Sequence, residues 1–108
     1  MAQTLGEFEQ LVLLALLRLG EAAYGVPVRE EIAQRTGRPV SLGSVYTTLN
    51  RLEAKRLVRS WVGEPTAERG GRRKKHYAIK PAGERALTAS LTALRRMTRG
   101  LSPALEGP

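Results

Sequence analysis

A mainly α-helical fold with one small β-hairpin follows from three features of the 108-residue sequence. Apolar residues recur at helical spacing in four separate segments. Two short runs, residues 57–62 and 76–79, read as paired strands flanking a long polar stretch. Apolar residues make up 42% of the chain and aromatic residues only 5%, so one core built from Leu, Val, Ile and Ala is expected. A chain of this size buries roughly two-thirds of its unfolded surface, enough for a single domain.

The first helix is expected to open on a capping box formed by Thr4 and Glu7. Leu5, Phe8, Val12, Ala15, Leu16 and Leu19 mark its core face, and Gly20 closes it. Leu13, Leu14 and Leu17 fall outside that stripe, which implies a second buried contact. Tyr24-Gly25 makes a turn, and Pro27 suits the first position of a second helix whose inner face is Val28, Ile32 and Ala33. Thr36-Gly37 ends that helix, and Pro39 keeps the chain extended. Ser41 is the natural N-cap of a third helix, running from Leu42 to about Lys55. Residues 63–75 form a long loop between the two strands. Pro81 starts a last helix in which Leu87, Leu91, Leu94, Thr98 and Leu101 make a narrow seam of the coiled-coil kind. Residues 102–108, with two prolines and a glycine, are expected to fray.

Two of these elements carry the functional signal. In the third helix Val45, Leu49 and Leu52 form the apolar stripe, while Ser44, Thr47, Asn50 and Arg51 face outward with Tyr46 at the border. No acid stands among the outward residues, and short hydrogen-bonding side chains suit the base edges of a DNA major groove. Arg69-Gly70-Gly71-Arg72-Arg73-Lys74-Lys75 then places five positive charges around a glycine pair. A polar helix followed closely by a basic hairpin is the layout of a winged helix-turn-helix. The charge distribution agrees: the chain carries +8 overall, and residues 51–80 alone hold ten Lys or Arg against three Glu. Such concentration points to a polyanionic partner. A solvated charged loop is the usual reading of a single charge run, but the glycine pair and flanking strands favour a wing.

Other chemistries have little support. The absence of cysteine removes disulfides and thiolate metal sites, and a lone histidine, His76, removes a His-rich cluster. No nucleophile–base pair or phosphate-binding loop is visible, so neither an enzyme nor a cofactor is expected. The apolar run at residues 11–17 is too short to span a bilayer, and with no signal peptide visible a cytoplasmic protein is expected.

The chain resembles the PadR-like family of bacterial transcriptional regulators. The resemblance is carried by residues 11–19, the Ala23-Tyr24-Gly25 turn and Ser44-Val45-Tyr46-Thr47-Thr48-Leu49-Asn50-Arg51-Leu52-Glu53. It continues through Lys55, Leu57 and Val58, then Arg72-Arg73-Lys74-Lys75-His76-Tyr77-Ala78-Ile79 and Pro81-Ala82-Gly83. It implies a homodimeric winged-helix repressor whose first and last helices make the dimer, in the short form with one C-terminal helix. The family commonly has Pro at the position of Thr47 and Gly at that of Arg56. If Arg56 must adopt a left-handed cap, it costs on the order of 1 kcal/mol relative to Gly; its charge could instead touch phosphate. In some short members drugs or flavins stack between tryptophans of the last helices. Here no aromatic residue follows Ala78, and Trp61 lies on the first strand, which argues against a stacking pocket though not against every ligand; a small-molecule effector is left open but not indicated.

These readings assign residues 1–80 to a winged helix-turn-helix, 81–101 to a dimerisation helix and 102–108 to a tail. The expected DNA-binding residues are Ser44, Tyr46, Thr47, Asn50, Arg51, Arg72, Arg73, Lys74 and Lys75. Tyr46 could touch phosphate or belong to the core, and the resemblance favours phosphate. Asn50 is read as a base contact rather than a solvated residue, and Arg51 as a phosphate contact before a guanine contact. Trp61, His76 and Tyr77 read as hairpin packing. Leu13, Leu14, Leu17, Leu87, Leu91, Leu94 and Leu101 are the expected dimer contacts. The function expected is a sequence-specific DNA-binding regulator, a repressor acting on an inverted repeat. A non-specific nucleic-acid binder and a protein-interaction winged helix are the alternatives.

Overall fold

The structure is a computed structural model and describes residues 4–64, 73–101 and 105. Four helices and a two-stranded hairpin follow in the order α1 (Glu7–Leu19), α2 (Gly25–Thr36), α3 (Leu42–Ala54), β1 (Val58–Val62), β2 (Lys75–Ile79) and α4 (Pro81–Thr98). A single 3-10 turn, Gly20–Ala22, links α1 to α2. The strands pair antiparallel with Val58 opposite Ile79 and Val62 opposite Lys75. A third arm joins them: Tyr24 bridges His76, and the Tyr77 N–H donates to the Ala23 carbonyl at 2.9 Å.

Local chemistry shifts three of the expected boundaries. At the start of α1 the Gly6 N–H donates to the Glu9 carboxylate at 2.9 Å, so one half of a capping box forms two residues later than the Thr4–Glu7 box, glycine having no side chain to return the bond. Glu7 is instead held by both guanidinium nitrogens of Arg38, at 2.8 and 3.0 Å. The helix α2 begins at Gly25 rather than Pro27. Pro27 still lies in the first turn, where a missing N–H costs no helical hydrogen bond. At the other end α4 stops at Thr98, leaving Leu101 beyond the helix, because Arg99 turns extended and Gly100 takes φ 82°.

The core explains where the expected dimer contacts depart from the structure. Helix α1 is the central element, touching α2, α3, β2 and α4. It therefore buries more than one face inside its own protomer. Leu13 is fully buried and Leu14 half-buried, while Leu17 alone of the three is half exposed. Leu13 is thus a core residue, not a surplus one. The same correction applies to Leu87, which is buried with Ala86 against the core as α4 docks on the hairpin. Leu91 packs partly against that core, whereas Leu94, Met97 and Leu101 stand exposed. The seam of α4 therefore divides: its first half completes the protomer and its second half does not.

Close backbone contact fixes how α4 starts. Gly83 lies against the Leu57 carbonyl, where a Cβ would overlap the oxygen and press on Ile79. The Lys80 N–H donates to the same carbonyl at 2.9 Å. Only glycine permits this approach without movement.

Candidate nucleic-acid interface

Helix α3 is held rigidly from both ends. Ser41 at its N-cap accepts the Ser44 N–H at 3.1 Å and donates its hydroxyl to Ser44 Oγ at 2.7 Å. At the C-terminus the Leu57 N–H donates to the Leu52 carbonyl at 3.0 Å and the Arg56 N–H to Glu53 at 2.9 Å. These two bonds make a Schellman motif, and the buried pair Leu52 and Leu57 supplies its apolar contact. The residue in the left-handed position is Arg56, at φ 63°. Of the two readings left open for Arg56, the left-handed cap is therefore present.

The apolar face of α3 is closed: Val45, Leu49 and Leu52 are fully buried, and Thr48 nearly so. The opposite face holds Ser44, Thr47, Asn50 and Arg51, all exposed. Thr47 and Asn50 make no side-chain hydrogen bond with any described residue. Their polar atoms face solvent and can meet a ligand without breaking an internal bond. Arg51 lies near enough to Glu9 to help hold that carboxyl ionised.

Tyr46 sits at the border, 38% exposed, with its ring laid across the backbone of Gly25. A Cβ on Gly25 would overlap that ring, so the glycine opening α2 is what lets the tyrosine lie flat there. The ring of Tyr46 therefore packs against the fold while part of it remains accessible.

The wing is only partly described. Arg72 and the glycine pair lie outside the described residues, and the three basic residues that follow have different surroundings. Arg73 is exposed. The Lys74 ammonium lies 5.3 Å from the centre of the Tyr24 ring. The Lys75 ammonium is 3.5 Å from Glu53 on α3 and 5.5 Å from the Tyr77 ring centre. Behind them an aromatic row runs across the hairpin base: His76 stacks on Trp61 at 5.6 Å and meets Tyr24 edge-on at 5.5 Å. The Arg59 guanidinium covers Trp61 at 4.6 Å. His76 also contacts the Glu21 carbonyl through Nδ1 at 3.1 Å. Trp61, His76 and the buried Tyr77 are therefore packing residues, as the sequence suggests.

Two groups escaped the sequence reading. Glu9 is buried and bonds both Gly6 N–H and Lys55 Nζ, the latter at 2.8 Å, joining α1 to the end of α3. Burial pushes its carboxyl upward, but Lys55, the Gly6 N–H and Arg51 together outweigh that and hold it below the usual glutamate range. Glu53 joins α3 to both strands, accepting the Ser60 hydroxyl and pairing with Lys75. Burial raises the Tyr77 phenol beside this cluster above its ordinary value; Lys75 opposes the rise, and Glu53 and Tyr46 add to it. A spacing of i+3 from Asn50 was the available signal for Glu53, but its partners depend on strand register.

Among the described residues no group of three or more His, Cys, Asp or Glu is placed to hold a metal ion. No helix among them is long and apolar enough to cross a membrane.

The model of the transcriptional regulator PadR-like family matches residues 13–89, most of the chain and every element of the site. The chain belongs to that family. Solved structures agree in fold. A PadR-family transcriptional regulator from Eggerthella lenta is 27% identical, with a TM-score of 0.67 over 94% of this chain and 88% of that one. A PadR-like transcriptional regulator from Bacillus cereus gives 22% identity and a TM-score of 0.69, covering 94% and 93% of the two chains. A transcriptional regulator from Clostridium thermocellum gives 22% and 0.70, covering 84% and 85%. A comparison with curated proteins gave no significant match. This PadR-like chain is thus a DNA-binding transcription regulator and not an enzyme.

Proposed function

We propose that this chain is a repressor that binds an inverted repeat in its own promoter as a homodimer, each protomer setting α3 into a major groove. The outward face of α3 carries the reading. Ser44, Thr47, Asn50 and Arg51 are exposed together on one side of a doubly capped helix. In this reading Asn50 contacts a base edge, Arg51 and Tyr46 contact phosphate, and Ser44 and Thr47 lie against the groove. Arg73 and Lys74 act from the wing on phosphate or the minor groove, as does Arg72 on the strength of its sequence position.

The exposed leucines support a second copy as partner. Leu17, Leu94 and Leu101 are each about half exposed, and Met97 is 77% exposed. Burying one such side chain stabilises by roughly 1.5–3 kcal/mol, so several per protomer suffice for a stable two-fold contact. Residues 81–101 then serve as the dimerisation segment, with Leu14 and Leu91 at its edge. The two recognition helices would enter successive major grooves about 34–36 Å apart.

Footprinting on the region upstream of the gene, with random-sequence DNA as competitor, tests this. The expected result is two protected half-sites, one helical turn apart centre to centre, that survive excess competitor. Equal competition by random and upstream DNA would contradict it.

A further inference from the structure

We infer that Glu53 is a positioning residue that ties Lys75 to the recognition helix and keeps its charge off the DNA backbone. The inference rests on the DNA-binding reading above and adds a division of labour within the wing. Residues 73–75 are a run of three cations in sequence, yet the fold gives them different surroundings. Arg73 and Lys75 are both exposed and Lys74 is half-buried, but of the three only Lys75 has a carboxylate beside it, its ammonium lying 3.5 Å from Glu53 Oε1. The other oxygen, Glu53 Oε2, accepts the Ser60 hydroxyl. Ser60 stands opposite Tyr77 in the ladder, and the Lys75 ammonium also lies over the Tyr77 ring. Glu53 therefore reaches both strands from α3, and Ser60 holds its carboxylate in place before Lys75 arrives. An exposed ion pair is weak because water and salt screen it and because two mobile side chains must be ordered. Here one of the two is already ordered.

The consequence is electrostatic. A cation compensated inside the protein displaces no counterion from DNA, so it adds nothing to the salt dependence of binding. Glu53 lies one turn beyond Asn50, at the wing-side edge of the exposed face. It thereby sets how strongly the protein holds any DNA, without affecting which base is preferred. Arg73 and Lys74 retain the wing's phosphate contacts.

The test measures binding to a random-sequence DNA duplex across a salt series for wild type, Glu53→Gln, Lys75→Ala and the double variant. Circular dichroism on each confirms folding. Lys75→Ala alone should leave the slope of log K against log salt unchanged. Glu53→Gln, which keeps an acceptor for Ser60, should steepen it by about 0.9, the value for one phosphate contact. Adding Lys75→Ala should restore the wild-type slope. A slope lowered by about 0.9 in Lys75→Ala alone would overturn the proposal, because Lys75 would then contact phosphate in the wild type. So would a Glu53→Gln increase that persists in the double variant, or no increase at all. Should Glu53→Gln fail to fold, the Lys75→Ala arm still decides. Wild type that ignores duplex DNA even at low salt is a separate result, and it would remove the DNA-binding reading itself.

Discussion

Arg56 closes the recognition helix in a conformation that glycine adopts freely and arginine does not. Its φ of 63° places the Cβ against the neighbouring carbonyl, at a cost of roughly 1–2 kcal/mol for an L-residue. The two bonds of the Schellman motif and the buried Leu52–Leu57 contact hold it there. Replacing Arg56 by glycine removes that strain but gives the unfolded chain more freedom, worth roughly 0.5–1 kcal/mol in the other direction. The net expectation is a stabilisation on the order of 1 kcal/mol or somewhat less. For a domain of this size 1 kcal/mol raises Tm by about 4–8 °C, so a rise of a few degrees should appear in thermal unfolding at matched protein concentration. Arg56→Ala separates strain from charge: it removes the guanidinium, keeps the Cβ, and should show no such rise. A glycine variant no more stable than wild type would refute the strain argument. An alanine variant that gains as much would assign the effect to charge instead.

Three further outcomes follow from the packing. Gly83→Ala should destabilise by roughly 1–3 kcal/mol, because the added methyl meets the Leu57 carbonyl, and denaturant unfolding would show it. Glu9 has a lowered folded-state pKa, so its contribution is present above the ordinary glutamate value of about 4.3 and is lost as pH falls through the folded value. Glu9→Gln should flatten the acid side of the Tm–pH curve, and an unchanged curve would contradict the Lys55 assignment. Leu94→Glu should leave a folded monomer in sedimentation, since Leu94 is exposed in the protomer, whereas Leu87→Glu should unfold it. A dimeric Leu94→Glu protein would move the dimer contact elsewhere.

What the sequence disclosed depended on the range of the interaction. The apolar stripe of α3, its Ser41 cap, the Pro81 start of α4 and the glycine stops at Gly20 and Gly37 are local, and each lies where spacing and capping chemistry put it. The left-handed cap at Arg56 was only one of two readings left open, raised by the glycine the family commonly has there, and the backbone shows it present. The leucines of α1 were not legible, because helical spacing reports how many faces are apolar but not what covers them. Leu13 proved to be core because α1 lies at the centre of the fold. The pairing of Lys75 with Glu53, 22 positions earlier, was illegible for a similar reason, since it exists only once the strand register is set.

The central claim is that the exposed face of α3 reads base edges, and Asn50→Ala tests it most directly. Asn50 is exposed, bonds no described residue through its side chain, and lies opposite the buried stripe, so its loss should leave folding unchanged. Affinity for the upstream operator and for a random-sequence duplex should be measured side by side at one salt concentration. The account predicts a loss of roughly 1–3 kcal/mol on the operator alone, with relaxed preference at one base position. An equal loss on both duplexes, or none on either, would contradict it.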